Sequence, residues 1–327
     1  MHMKLHATAC LTVLLSTLPA AAPPARRAFT FHYTASVTQV PEGARHLVLW
    51  IPYPVSDAHQ GISGVRLVGP GPATIKKDSA TGNTYASFIV EDPRPGSVEV
   101  SLTFDVLREE YVARAFAKAD NRPVPKDDPA LARFLKPDRL VPLNARVRKL
   151  SADVTKGKTT DLAKAHAIYD YVVSTMKYDN SGEGWGRGDI VWACDAKRGN
   201  CTDFHALFIG LARAAGIPAR FSIGFPLPSD GSAAGEVAGY HCWAEFWLSG
   251  YGWVPVDASE AAKHPEKKEY FFGAHDENRV QLTTGRDLVL LPPQQGDPLN
   301  FFVYPYVEID GKPWKEVTKS FSFRNKA

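Results

Sequence analysis

The segment GNCTDFHALFIGLARAAGIPAR, residues 199–220, constrains this chain more than any other. Phe204, Leu207, Phe208, Leu211, Ala214 and Ala215 recur at the spacing of a single helix face. Gly199 and Asn200 suit an N-cap, Gly216 stands where a C-terminal cap belongs, and Pro218 forbids continuation. The runs that follow, ARFSIGFPL, GYHCWAEFWL and GWVPVDAS, are strand-like and joined by connections short enough for antiparallel neighbours. A helix followed by strands, without βαβ alternation, predicts an α+β core.

The 327 residues suit two domains better than one. Between residues 28 and 107, FTFHYTASV, LVLWIPYPV, TYASFIV and VEVSLTFDVL alternate with Gly/Pro/Asp clusters, which predicts a small β-sandwich. No motif in it carries chemistry. REEYVARAFAKAD and DPALARFLKPDRLVP read as short connecting helices, and LAKAHAIYDYVVSTMKYD as a helix ending near Tyr178. DNSGEGWGRGDIVWACDAKRGN reads as a Gly-rich loop and HPEKKEY as a solvated one. PLNFFVYPYVEIDGKPW supplies closing strands, with Phe301, Phe302, Tyr304 and Tyr306 as core or cleft wall. The division is therefore a sandwich over 26–110, a helical linker over 111–150, a core over 151–290, and strands completing that core over 291–327.

Residues 1–25 have the shape of a secretory signal peptide: Lys4, a short apolar stretch from Ala7 to Leu18, then small residues and prolines. The expected location is periplasmic or secreted. No later run of about 18 apolar residues offers a membrane span. A net charge of +3, from 38 basic and 35 acidic residues, gives no electrostatic reason for a nucleic-acid partner. Removing the signal also removes Cys10 and leaves Cys194, Cys201 and Cys242, so at least one thiol stays free or bridges between chains. Cys194 and Cys242 could pair and leave Cys201 alone.

Cys201 falls in the first turn of the predicted helix, where free N–H groups and partial positive charge favour a thiolate and can cradle an oxyanion. A thiolate nucleophile needs a base, and His241 lies forty residues on, in a strand-like segment. Period-two alternation groups His241, Trp243, Glu245 and Trp247 on one face, and points Cys242 away from whatever His241 faces. Asp257 ends the next strand, where one hairpin brings it to the imidazole to fix its tautomer.

These stretches together resemble the transglutaminase-like superfamily. A Gly-x-Cys opens the helix that ends in Gly-Ile-Pro-Ala-Arg, followed by a His-x-Trp-x-Glu strand and a Gly-Trp-x-x-x-Asp strand. The matching residues here are Gly199 and Cys201, Gly216 to Arg220, His241, Trp243 and Glu245, and Gly252, Trp253 and Asp257. The resemblance covers roughly residues 160–260. It implies a papain-like core with the Cys-bearing helix packed on an antiparallel sheet, Cys201 as nucleophile, His241 as base and Asp257 as its orienter. A β-domain ahead of such a core is similar to a group of exported bacterial transglutaminase-like proteins. The implied chemistry is acyl transfer from a peptide or amide, with cell-envelope material as a candidate substrate and hydrolysis, amine cross-linking and an inactive scaffold as the three outcomes; the reading leans to peptidase or amidase.

Trp185, Trp192, His205 and Trp243 are further candidates for the oxyanion site or substrate cleft, each with plain packing as the alternative. His205 shares a helix face with Cys201. Asp203 reads as dipole complementation and Tyr178 as packing beneath the helix. Cys194, Cys201, His205 and His241 could form a zinc set, but the spacing lacks the tight pair of a structural site, so neither metal nor cofactor is expected.

Overall fold

The computed structural model describes residues 23–113, Phe116 and residues 128–326. The predicted signal segment up to residue 22 therefore lies outside the described residues. Among the described residues, no helix is long and apolar enough to cross a membrane.

Alternating inward residues build the first part. β1 (Arg26–Val40) buries Phe29, Phe31, Tyr33, Ala35 and Val37 on one face. It is followed by β2 (His46–Tyr53), β3 (Gln60–Val68), β4 (Thr74–Lys77), β5 (Thr84–Glu91), β6 (Gly96–Glu109) and the short β7 (Tyr111–Val112). The helical half contains α1 (Ala145–Val154), α2 (Asp161–Thr175), β8 (Lys177–Tyr178), α3 (Ile190–Ala196), β9 (Arg198–Gly199) and α4 (Cys201–Ala214). β10 (Ala219–Pro226), β11 (Ala234–Glu236), β12 (His241–Leu248) and β13 (Gly252–Val256) follow. Then come α5 (Ala258–Lys263), α6 (Lys268–Phe271), β14 (Ala274–His275) and β15 (Arg279–Thr284). β16 (Tyr306–Ile309), β17 (Lys312–Pro313) and β18 (Val317–Asn325) close the chain.

α4 packs on a four-stranded antiparallel sheet ordered β13-β12-β10-β15, and every residue from Cys201 to Arg213 is buried. Asn200 and Asp203 form a reciprocal capping box at its start, and Gly216 leaves its end at φ +85°. The α+β core is thus the expected one: a Cys-bearing helix on an antiparallel sheet, with a β-rich region ahead of it.

Several local expectations are revised. Residues 291–327 do not complete the core. β18 pairs with β1 and β16 with β2, giving two five-stranded sheets, β11-β18-β1-β6-β3 and β17-β16-β2-β5-β4. The tail is needed there because β1 has a free edge that nine residues of β18 cover in register. β11 adds to the outer side of β18, so a loop of the core is sewn into the sandwich. The linker is not uniformly helical either. Tyr111–Val112 pairs with β14, Ala132–Leu135 is a single 3₁₀ turn, and α1 straddles the expected boundary at residue 150. Nearly half of the predicted helix REEYVARAFAKAD lies outside the described residues, and its first five residues are extended or strand.

α2 ends at Thr175 because Met176 turns extended, letting β8 pair in parallel with β9. That pair ties off the Gly-rich loop just before Cys201. The loop contains α3, capped by Asp189, which accepts from the N–H groups of Val191 and Trp192. HPEKKEY forms a 3₁₀ turn running into α6.

One glycine reports how closely the sheet is packed. A Cβ on Gly224 would lie 1.8 Å from the carbonyl oxygen of Val280, a backbone atom that cannot rotate aside. The β10–β15 register shifts at this residue. Gly224→Ala is expected to lower unfolding free energy by about 2 kcal/mol or more, the usual range for overpacking. Gly71→Ala, whose Cβ would meet nothing within 4 Å, should stay within about 0.5 kcal/mol. Urea unfolding of the two variants checks the contrast.

Candidate active site

Cys201 is the first residue of α4, so its N–H has no acceptor within the helix and faces the incoming chain. Asn200 ahead of it is pinned: its side chain accepts from Thr202 N at 2.9 Å, and its amide donates to the hydroxyl of Tyr240 at 3.0 Å. That hydroxyl also lies 2.8 Å from Thr202 Oγ1. The start of the helix is thereby fastened to the residue before β12, which fixes where His241 sits relative to Cys201.

Asp203 does more than complement the dipole. Its Oδ2 accepts from Asn200 N at 3.0 Å and Gly186 N at 2.7 Å, and its Oδ1 from Gly188 N at 3.0 Å. Gly199, at φ +146°, makes this possible, since a Cβ there would fall 2.3 Å from Asp203 Oδ2. One carboxylate thus moors the Gly-rich loop against the start of α4.

His241 and Asp257 meet across the sheet edge. His241 Nε2 lies 2.7 Å from Asp257 Oδ2, which leaves Nδ1 as the nitrogen facing the thiol, and His241 and Cys201 share a hydrogen bond. Asp257 is fully buried. It is also the N-cap of α5: its Oδ1 accepts from Ser259 Oγ and Glu260 N, each at 3.1 Å. The VDAS segment therefore ends the strand and starts a helix. Arg279 Nη1 donates to Asp257 Oδ2 at 3.1 Å and pairs through Nη2 with Asp276 at 3.2 Å. Burial opposes ionising Asp257, yet the charge and hydrogen bond of His241, with Arg279, hold it well below the usual carboxylate range.

The same balance acts on the pair that faces the substrate side. Burial works against a charged imidazole, but Asp257 and Cys201 outweigh it and push His241 up to about 10. Burial likewise disfavours the thiolate of Cys201. Hydrogen bonds from Cys242 and His241, and the imidazolium charge, outweigh it and bring the thiol well below its ordinary value. Near neutral pH the arrangement supports a thiolate–imidazolium pair.

The other candidates divide. His205 is fully buried beneath the thiol, not in the cleft. Its Nε2 accepts from Ala258 N at 3.1 Å, so the 3.7 Å approach of that nitrogen to Asp257 is not an ion pair. Burial keeps this imidazole's pKa down, and its Nδ1 lies 3.7 Å from Cys242 Sγ. Cys242 accordingly does not point away from the site. It faces α4, as its place on the helix-covered side of β12 requires, and interacts with Cys201. Cys194, Cys201 and Cys242 are all free, so the Cys194–Cys242 pairing does not occur; Cys194 sits on α3 beside Arg146. Among the described residues no group of His, Cys, Asp or Glu is arranged to hold a metal.

An open cleft of about 740 Å³ runs over Cys201 and His241. Trp185 and Tyr178 line one side, and Tyr240 and Tyr304 another. The indole N–H of Trp185 donates to Gly182 O at 2.9 Å and so is not aimed at the thiol. Trp192 packs into the core beside Arg198 and does not reach the cleft. Trp243 lies behind the site, fully buried against Arg279 and His275. Of the tail aromatics, Tyr304 is cleft wall, while Phe302 packs on Tyr85 and Tyr306 on Trp50.

Sequence reasoning missed Arg279, a lone basic residue opening a strand with no motif around it. It also missed the tie through Tyr240. Both are contacts between distant segments that no local pattern announces.

Residues 148–258 match the model of the transglutaminase-like superfamily core. An uncharacterized protein of Haemophilus influenzae is 30% identical over 311 residues, covering 84% of each chain. The crystal structure of a candidate cysteine protease from Cytophaga hutchinsonii superposes with a TM-score of 0.59 at 19% identity, over 92% of this chain and all of that one. That likeness is one of fold.

If the buried carboxylate sustains the imidazolium, Asp257→Asn should slow iodoacetamide alkylation of Cys201 at neutral pH by about tenfold, the equivalent of one pKa unit. Mass-spectrometric counting of modified Cys201 against time checks it. Cys242 should stay unmodified in the folded protein.

Proposed function

The chain belongs to the transglutaminase-like superfamily, and from that premise we propose that it is an exported cysteine-dependent acyl-transfer enzyme that hydrolyses peptide or amide bonds. The observation that carries this reading is the Cys201–His241–Asp257 chain opening onto a cleft of about 740 Å³.

In this mechanism the Cys201 thiolate attacks the carbonyl carbon of the substrate. The oxyanion that forms is received by the free N–H of Cys201 itself, at the positive end of α4. His241, protonated at the outset, gives its Nδ1 proton to the departing amine. The acyl-enzyme is then attacked by water, whose proton His241 takes back. Asp257 stays ionised throughout and steadies the imidazole through Nε2.

The cleft supports hydrolysis. It is open and bordered by Glu236, Glu260 and Lys263, so water reaches the acyl-enzyme without a dedicated channel for a second substrate. The tail contributes Tyr304 to one wall, and the core loop from β11 to Tyr240, paired to β18 of the sandwich, contributes more of it, which gives the β-domain a share in substrate choice. Location in the periplasm or outside the cell, and cell-envelope peptide as substrate, belong to the same proposal and rest on the signal-like first 25 residues.

Cleavage of a mixed peptide library, read by mass spectrometry beside incorporation of a fluorescent amine, tests the reading. Hydrolysis should be seen, and Cys201→Ala should lower it by about 10⁴-fold or more. Amine incorporation without cleavage would overturn the hydrolytic assignment. The pH profile carries a second expectation. A group with a raised pKa keeps its proton until pH passes that value, so kcat/KM should hold through neutral pH and fall on the alkaline side near about 10, where His241 loses its proton. The acid limb should lie well below the ordinary thiol range, since the Cys201 thiol is lowered.

A further inference from the structure

Behind the four-stranded sheet, on the face away from α4, lies a second cavity of about 520 Å³. The sandwich supplies one wall and the outer side of β12, β13 and β15 the other. It shares no lining residue with the cleft over Cys201.

This cavity contains an unmet charge. Arg108, near the end of β6, is only 1% exposed, and its Nε and Nη1 have no hydrogen-bond partner. Its Nη2 reaches only the ring nitrogens of His275, 3.4–3.5 Å away. None of the nearby carboxylates reaches Arg108 as an ion pair, although the charges of Asp57, Glu245 and Asp276 act on it from farther away. Glu245 holds Arg220 at 2.6 Å, Asp276 holds Arg279 at 3.2 Å, and Asp57 accepts from His59 N at 2.7 Å. His275 supplies no negative charge, and burial keeps it neutral. A buried cation without a contact ion pair is costly, and proteins normally give it one. His59, which also lines the cavity, adds a second buried and unpartnered atom, Nδ1.

Part of the wall is aromatic. Trp247 and Trp253 stand edge to face, 5.3 Å between centroids, and Tyr111 stacks under His59 at 3.8 Å. An anion alone would leave this surface unused, whereas an apolar or aromatic body attached to it would cover both.

We propose that this cavity binds a small organic carboxylate with an aromatic or apolar body, its carboxylate received by Arg108 beside His59 and its body lying against Trp247 and Trp253. The volume admits a ligand of about dipeptide size. The site is independent of the thiol chemistry, so it is tested in Cys201→Ala protein, where turnover cannot interfere.

Calorimetric titration with N-acetyl-L-phenylalanine and with N-acetyl-L-phenylalaninamide reads the carboxylate directly. The acid should bind about tenfold more tightly than the amide, the scale of a charge-assisted hydrogen bond. Arg108→Gln should reduce that preference to under about twofold. Circular dichroism establishes that the variant folds. Ala58→Trp, a change at an exposed residue on the cavity rim, should abolish binding of the acid without altering Arg108. Absence of acid binding, equal affinity for acid and amide, or a preference that survives Arg108→Gln would overturn the proposal.

Discussion

The buried carboxylate of Asp257 is the constraint from which the rest of the site follows. A fully buried carboxylate is unfavourable unless its charge is met on every side. Here His241, Arg279 and the first turn of α5 meet it. Each of these partners comes from a different element, so satisfying one charge locks β12, β15 and α5 into a single arrangement. The consequence reaches Cys201. An imidazolium stabilised from behind makes a thiolate affordable in front, although burial alone would disfavour both charges.

The family motifs acquire a common physical reason in this arrangement. Arg220 closes the Gly-Ile-Pro-Ala-Arg segment, and Glu245 closes His-x-Trp-x-Glu; they are cross-strand partners joined at 2.6 Å. The guanidinium of Arg220 lies 4.1 Å from the ring centroid of Trp253, the aromatic of Gly-Trp-x-x-x-Asp. Three motifs separated in sequence thus meet at one point on the back of the sheet. Cys201, His241 and Asp257, one from each motif, converge on its edge.

What was legible in the sequence was what is locally written. α4 announced itself by periodicity and by caps at both ends, and the strands after it by composition. The position of Cys201 followed from the cap. Alternation along β12 groups Trp243 and Glu245 on one face, but it misjudges Cys242, because a thiol on the helix-covered side lies directly beneath the first turn of α4. The tail was misassigned for a related reason. β18 reads as an ordinary strand, and nothing in VTKSFSFRN says that its partner is β1, nearly three hundred residues away. α3 was hidden by the glycines before it, and Arg279 by the lack of any motif. Contacts that close a structure over long separations leave little trace in the segments that make them.

The sandwich is bound into the core at several points, through β11 on β18 and through β7 on β14. It therefore shapes both the cleft and the cavity behind the sheet. The central claim, however, rests on the thiol. Ultraviolet difference absorbance between the native protein and Cys201→Ala, titrated with pH, reads the thiolate of Cys201 alone. A thiolate signal already present at neutral pH, with its midpoint well below the ordinary thiol value, is the result this account predicts. A midpoint at or above that ordinary value would contradict it.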